Sequence, residues 1–108
     1  MNIEQLHNYV IGLGEVEDSQ PFGQDNLVYK VKGKIFIIIS ADEIPLRFNV
    51  KCKPELALEL REQFSCVLPG YHMNKKHWNT IVVDGQLSTN QLKKIIQHSY
   101  NLVIEKKK

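Results

Sequence analysis

The chain has little that marks a familiar catalytic or membrane role. Only two of its 108 residues are cysteine, Cys52 and Cys66, and no CxxC spacing joins them. Zinc-ribbon and thioredoxin-like readings therefore have no support. No apolar run approaches the roughly 20 residues of a bilayer-spanning helix. The N-terminus, MNIEQLHNYV, lacks the basic start and continuous apolar core of a secretory signal. The expectation is a cytoplasmic chain with no membrane partner, whose cysteines are reduced core thiols. GxSxG, HExxH, P-loop and paired-carboxylate patterns are all missing. Neither enzymatic activity nor a cofactor is expected.

What is present suits one globular unit. The length is that of a single domain, 1–108, with one modest core, and a monomer is expected. A composition of 43% hydrophobic and 24% charged residues argues against disorder. The formal net charge of +2 is small, but it is unevenly spread. Residues 1–27 hold five acids (Glu4, Glu15, Glu17, Asp18, Asp25) and no lysine or arginine. Residues 28–53 hold six bases (Lys30, Lys32, Lys34, Arg47, Lys51, Lys53) against Asp42 and Glu43. Segregation of this kind gives a nearly neutral body a local field.

The periodicities define the elements. Ile3, Leu6, Tyr9 or Val10 and Leu13 recur at helical spacing behind Asn2, a plausible cap, and Gly12 and Gly14 end that helix. SQPFGQDN is turn-rich and opposes regular structure. LVYKV (27–31) and KIFIIIS (34–40) read as strands joined at Gly33. In LRFNVKC (46–52), Leu46, Phe48, Val50 and Cys52 alternate with Arg47, Asn49 and Lys51. PELALELREQF starts with Pro at a helical N-terminus and carries Leu56, Leu60 and Phe64 on one stripe. The segment 71–81 reads as two short strands joined near Asn74–His77. Ser88-Thr89-Asn90-Gln91 has the form of a capping box, opening a helix with Leu92, Ile95, Ile96, Ser99, Val103 and Leu102 as its stripe. The order α-β-β-β-α-β-β-α with short connections predicts an α+β two-layer sandwich: an antiparallel sheet with helices on one face.

That arrangement places the charges. If Phe48 and Val50 face the helices, Arg47, Asn49 and Lys51 face away, and Lys30 and Lys32 share one face of their strand. Lys32 and Lys34 flank the Gly33 turn, where a hairpin projects. Such a surface suits a phosphate backbone, because each lysine that meets a phosphate releases condensed counterions. Lysines on exposed strands also serve simply to keep edges soluble.

The stretch YHMNKKHWNTI (71–81) concentrates the remaining polar chemistry. His72 and His77 have no cysteine or carboxylate near in sequence, so no metal is expected there. Catalysis requires an orienting partner and a nucleophile within reach, and only Asp84, in an Asp-Gly turn, is close. As a binding surface, Lys75 and Lys76 would contact phosphates, Asn74 base edges, and Tyr71, His72, His77 and Trp78 would stack or hydrogen-bond. Trp78, Thr80 and Val82 could equally pack on the core, the commoner use of a lone tryptophan.

PFGQDNLVYKVKGKIF (21–36), NVKCKPELALELRE (49–62), PGYHMNKKHWNTI (69–81) and HSYNLV (98–103) together resemble the MmcQ/YjbR family of small bacterial proteins. The similarity spans most of the chain in the same order. The resemblance implies a CyaY-like (frataxin-like) α/β fold and a "double-wing" DNA-binding role. The two wings would correspond to the Lys30–Lys34 turn and the Asn74–His77 turn. Where the family commonly has CDPE, this chain has Cys52-Lys53-Pro54-Glu55, which removes a capping aspartate and adds a base. A frataxin-like iron role is the rival implication, but Glu4, Glu15, Glu17 and Asp18 form no dense acidic ridge.

The expectation is thus a DNA-binding module using Lys30, Lys32, Lys34, Lys75 and Lys76, extended by Arg47, Lys51, Asn74 and His77. The alternative is a protein-interaction or small-ligand module around Tyr71, His72 and Trp78. It would show a concave apolar pocket beside Trp78.

Overall fold

The computed structural model describes residues 1–21, 23, 25–70 and 73–104. Helix α1 (Ile3–Ile11) opens on a reciprocal cap: the Gln5 amide donates to Asn2 Oδ1 at 2.8 Å, and the Asn2 amide to Gln5 Oε1 at 3.0 Å. Strand β1 (Val16–Ser19) follows, then β2 (Asn26–Val31) and β3 (Lys34–Ser40). β1 is an addition to the predicted order. Its sequence, VEDS, buries almost nothing and is held by backbone pairing along the edge of β2.

Lys32 (φ 52°) and Gly33 (φ 77°) both have left-handed backbones, as a two-residue type I′ hairpin turn demands. Lys32 is therefore a turn residue, and does not share a strand face with Lys30. An irregularity at Tyr29/Lys30 moves the register, so that Lys30 pairs with Ile35 while Tyr29 pairs with Ile37. Phe36 and Ile37 consequently both join the core.

β4 (Arg47–Lys51) leads to α2 (Pro54–Gln63), β5 (Val67–Pro69), β6 (Trp78–Val82) and α3 (Thr89–Ile104). Lys53 occupies the N-cap of α2 and makes no side-chain cap bond, as expected where aspartate is replaced by lysine. At α3, Ser88 and Gln91 form the predicted box through bonds of 2.8 and 3.2 Å. The first strand of the 71–81 pair lies instead at Val67–Pro69. Pro69 is tolerated because β5 is an edge strand.

All neighbouring strands are antiparallel, in the order β1-β2-β3-β4-β6-β5. Tyr29, Val31, Ile37, Ile39, Phe48, Val50 and Ile81 form one core with Leu6 and Val10 of α1 and Leu92, Ile96 and Val103 of α3. Asn79, opposite Val50, reaches the carbonyl of Ala57 at 3.3 Å and sets α2 on the same side. The α+β two-layer arrangement with helices on one face is thus the observed one. Ser99 ties α3 to the sheet. Its hydroxyl accepts from the Lys51 amide at 2.9 Å and donates to the Phe36 carbonyl at 2.6 Å, bridging β3 and β4 beyond their last paired residues.

Candidate functional site

The registers bring the basic turns to one end of the sheet. Val31 lies opposite Lys34, the start of β3 runs beside the end of β4, and Lys51 lies opposite Trp78. The Lys32-Gly33 turn, Lys51 and the 74–77 turn therefore share a rim. Lys53, exposed just after β4, adds to it. Between β2 and β6 there are three strand spacings, roughly 15 Å at about 4.8 Å each.

The second turn is held from several sides. Asn74 Oδ1 accepts from the Lys76 amide at 2.9 Å, and the His77 amide donates to the Asn74 carbonyl at 3.1 Å. The Cys52 amide donates to the His77 carbonyl at 2.8 Å, fastening the turn to the end of β4. Arg61 of α2 completes the frame. Its Nε donates to Asn79 Oδ1 at 2.7 Å, while Nη2 donates to the carbonyls of Lys75 and, at 3.2 Å, Trp78. Asn74 is thereby a turn-forming residue, whereas the Lys75, Lys76 and His77 side chains remain exposed. Nothing in the sequence marks Arg61 for this task, because a charge within PELALELREQ looks like any solvated helix position.

Trp78 is only 7% exposed. It packs against the backbone of Gly70, where a Cβ would fall 2.7 Å from Trp78 Cβ and which donates its amide to the Trp78 carbonyl at 2.9 Å. Paired with Lys51, it sits on the helix-free side, and Lys51 Nζ lies 5.9 Å from its ring centroid. Asn79 and Ile81 take the helical side instead. Trp78 is a buried structural residue that a base cannot stack upon. Tyr71 and His72 lie outside the described residues.

Two further placements alter the predicted surface. Arg47, at the opposite end of β4 from Lys51, stands apart from the basic rim and pairs with Glu43 at 3.5 Å. Glu17 lies directly opposite Lys30, so antiparallel pairing folds the acidic first segment back beside the basic second one.

The helix-free face also carries a cavity of about 810 Å³ at the Arg47 end, lined by Asn26, Ser40, Arg47, Asn49, Met73 and Thr80 among others. Thr80 Oγ1 donates to Asn49 Oδ1. Arg47 Nε is buried and makes no hydrogen bond among the described residues, with Glu43 Oε1 3.5 Å away. Its lining is mixed, with Ile38, Phe48 and Met73 beside Arg47 and the carboxylates of Asp42 and Glu43, and it lies at the Arg47 end, away from Trp78, where a ligand-binding reading predicts an apolar pocket.

Among the described residues no group of three or more His, Cys, Asp or Glu side chains converges as a metal site. His7 Nδ1 instead meets the Tyr29 hydroxyl at 2.8 Å. Both cysteines are free and buried. Burial pushes the Cys52 thiol up to about 11, against the opposing pull of Arg61 and the Lys53 amide. Burial and Asp84 raise Cys66 as well. Neither has the electropositive, accessible setting of a nucleophilic thiolate.

Residues 11–102 match the YjbR family model. The chain is 37% identical to YbdF of Escherichia coli O157:H7 over 97% of its own length and 89% of that protein. It is 33% identical to YjbR of Escherichia coli (strain K12), covering 100% of this chain and 95% of the relative. The crystal structure of a Deinococcus radiodurans protein superposes with a TM-score of 0.92 at 33% identity, covering 97% of this chain and 80% of that one. A Pseudomonas syringae crystal structure gives 0.81 at 26% identity, over 94% and 98%.

Proposed function

The chain belongs to the YjbR family, and on that premise we propose that it is a non-enzymatic, cytoplasmic DNA-binding module, monomeric, that grips the phosphate backbone with two basic turns. The observation that carries this reading is the shared rim: Lys32 and Lys34 at one turn, Lys75 and Lys76 at the other, with Lys51 and Lys53 between. Their separation of roughly 15 Å is comparable with the ~12 Å width of a duplex major groove. Two turns at that spacing suit phosphates on either side of a groove. Backbone contacts of this kind position a protein without reading sequence.

Fluorescence anisotropy with a labelled duplex tests this. Binding at low salt should weaken along a straight line in log K against log salt. Absence of binding at low ionic strength, or binding indifferent to salt, rules the reading out.

A second reading rests on the cavity around Arg47. Its lining sets the Arg47 guanidinium beside the carboxylates of Asp42 and Glu43, with Asn26, Ser40 and Asn49 alongside, which suits a small zwitterion bearing both a carboxylate and an ammonium group. Arg47→Gln separates the two. Duplex binding carried by the turns should survive it nearly unchanged, whereas binding of a small zwitterion such as a free amino acid in the cavity should disappear.

A further inference from the structure

The helices do not close over their side of the sheet. Between α2 and α3 lies a groove of about 360 Å³ walled by Leu56, Leu60, Phe64, Leu87 and Ile95. Helix α2 buries only Ala57. Its apolar stripe of Leu56, Leu60 and Phe64 remains partly exposed along the groove, although Leu60 and Phe64 also pack against the core. The volume lies in the lower range of small-molecule sites, which are mostly apolar with a few convergent polar groups.

The polar groups here include a cation and no acid. Lys94 and His98, one turn apart on α3, line the groove with Gln63 and Gln91, and the lining holds no carboxylate. Lys94 is exposed and has no ion pair among the described residues. His98 Nε2 accepts from the Lys53 amide at 3.3 Å, which puts the proton of the neutral ring on Nδ1 and makes that nitrogen a donor. Burial, and then Lys53, lower the His98 pKa and favour the neutral ring. At the inner end the Cys52 thiol keeps its proton, since burial holds it up at about 11.

We propose that this groove binds a small amphipathic anion, an apolar chain or ring bearing a carboxylate, with its apolar part against Leu56, Leu60 and Ile95 and its head group on Lys94 and His98. The site lies between the helices, and is independent of the DNA reading.

Octanoate titrated into the full chain at pH 7 tests it, followed through the methyl NMR signals of Leu56, Leu60 and Ile95. These signals should shift saturably, and 1-octanol, lacking the charge, should bind more weakly. Lys94→Glu should weaken octanoate about tenfold or more, as expected when a charge-assisted hydrogen bond is removed, and leave 1-octanol unchanged. Because Lys94 is exposed, its melting curve should match the parent and exclude misfolding as the cause. The proposal is overturned if octanoate leaves those methyls unmoved, or if Lys94→Glu binds it as tightly as the parent.

Discussion

Glu17 lies directly opposite Lys30 across the β1–β2 ladder. The five acids of residues 1–27 and the bases that follow are separate in the chain, yet the fold sets two of them, Glu17 and Asp18, beside the first basic strand. A like-signed phosphate approaching this turn meets Glu17 as well as the lysines. Removing that acid should strengthen the basic field. Glu17→Gln is expected to tighten duplex binding several-fold at low salt, an advantage that fades as ions screen the site. Anisotropy at two ionic strengths checks this, and equal or weaker binding by the variant contradicts it.

Arg61 acts on the other turn through three acceptors: Asn79 Oδ1 and the carbonyls of Lys75 and Trp78. Lysine keeps the charge but not the planar fork that reaches all three. Arg61→Lys should therefore accelerate amide hydrogen exchange around 74–78 while α1 and α3 keep their protection. Unchanged exchange in the turn would show that Arg61 is not its anchor.

Ser99 is the link between α3 and the centre of the sheet. Alanine there leaves the Lys51 amide and the Phe36 carbonyl without their bridge in a dry environment. Ser99→Ala should destabilise the fold by about 1–3 kcal/mol, the range for a buried polar group left unmatched. Urea denaturation measures this directly, and a change below about 0.5 kcal/mol would mean the two groups find other partners.

The buried acids set the alkaline behaviour. Cys52 rises from 9.0 to about 11, Tyr29 from 10.0 to about 12 through burial and Asp18, and Cys66 also rises. In each case the unfolded chain gives up its proton at lower pH than the folded one. Stability is therefore full below pH 9 and should decline as pH climbs through the window from about 9 to about 12. Cys52→Ala should flatten the early part of that decline. In the native protein at pH 8, Cys52 should resist alkylation until denaturant is added.

Much of the fold was legible because local chemistry and tertiary need coincide. The Asn2–Gln5 and Ser88–Gln91 caps, Pro54 at the start of α2, and the alternation through Phe48 and Val50 all stand where the sequence put them. β1 was hidden because an edge strand held by its backbone needs no apolar alternation, and VEDS has none. β5 was displaced for the related reason that Pro69 reads as a breaker but is harmless at an edge. Trp78 was legible as a structural residue but not in its side, since its burial depends on the close approach of Gly70. Arg61 was invisible, because its partners are carbonyl groups of a distant turn. The α2 stripe read as core, and Leu60 and Phe64 do pack there, but the stripe is only half-buried and also lines a groove that the sequence does not reveal.

The double-turn grip on DNA is tested most directly by the salt dependence of a variant with both turns neutralised. Lys32, Lys34, Lys75 and Lys76 replaced together by glutamine should make the slope of log K against log salt less negative by up to about 3.6, at about 0.9 for each phosphate no longer neutralised. Each pair alone should give about half of that change. A slope that stays at the parent value with all four replaced would contradict a grip on phosphates at these turns.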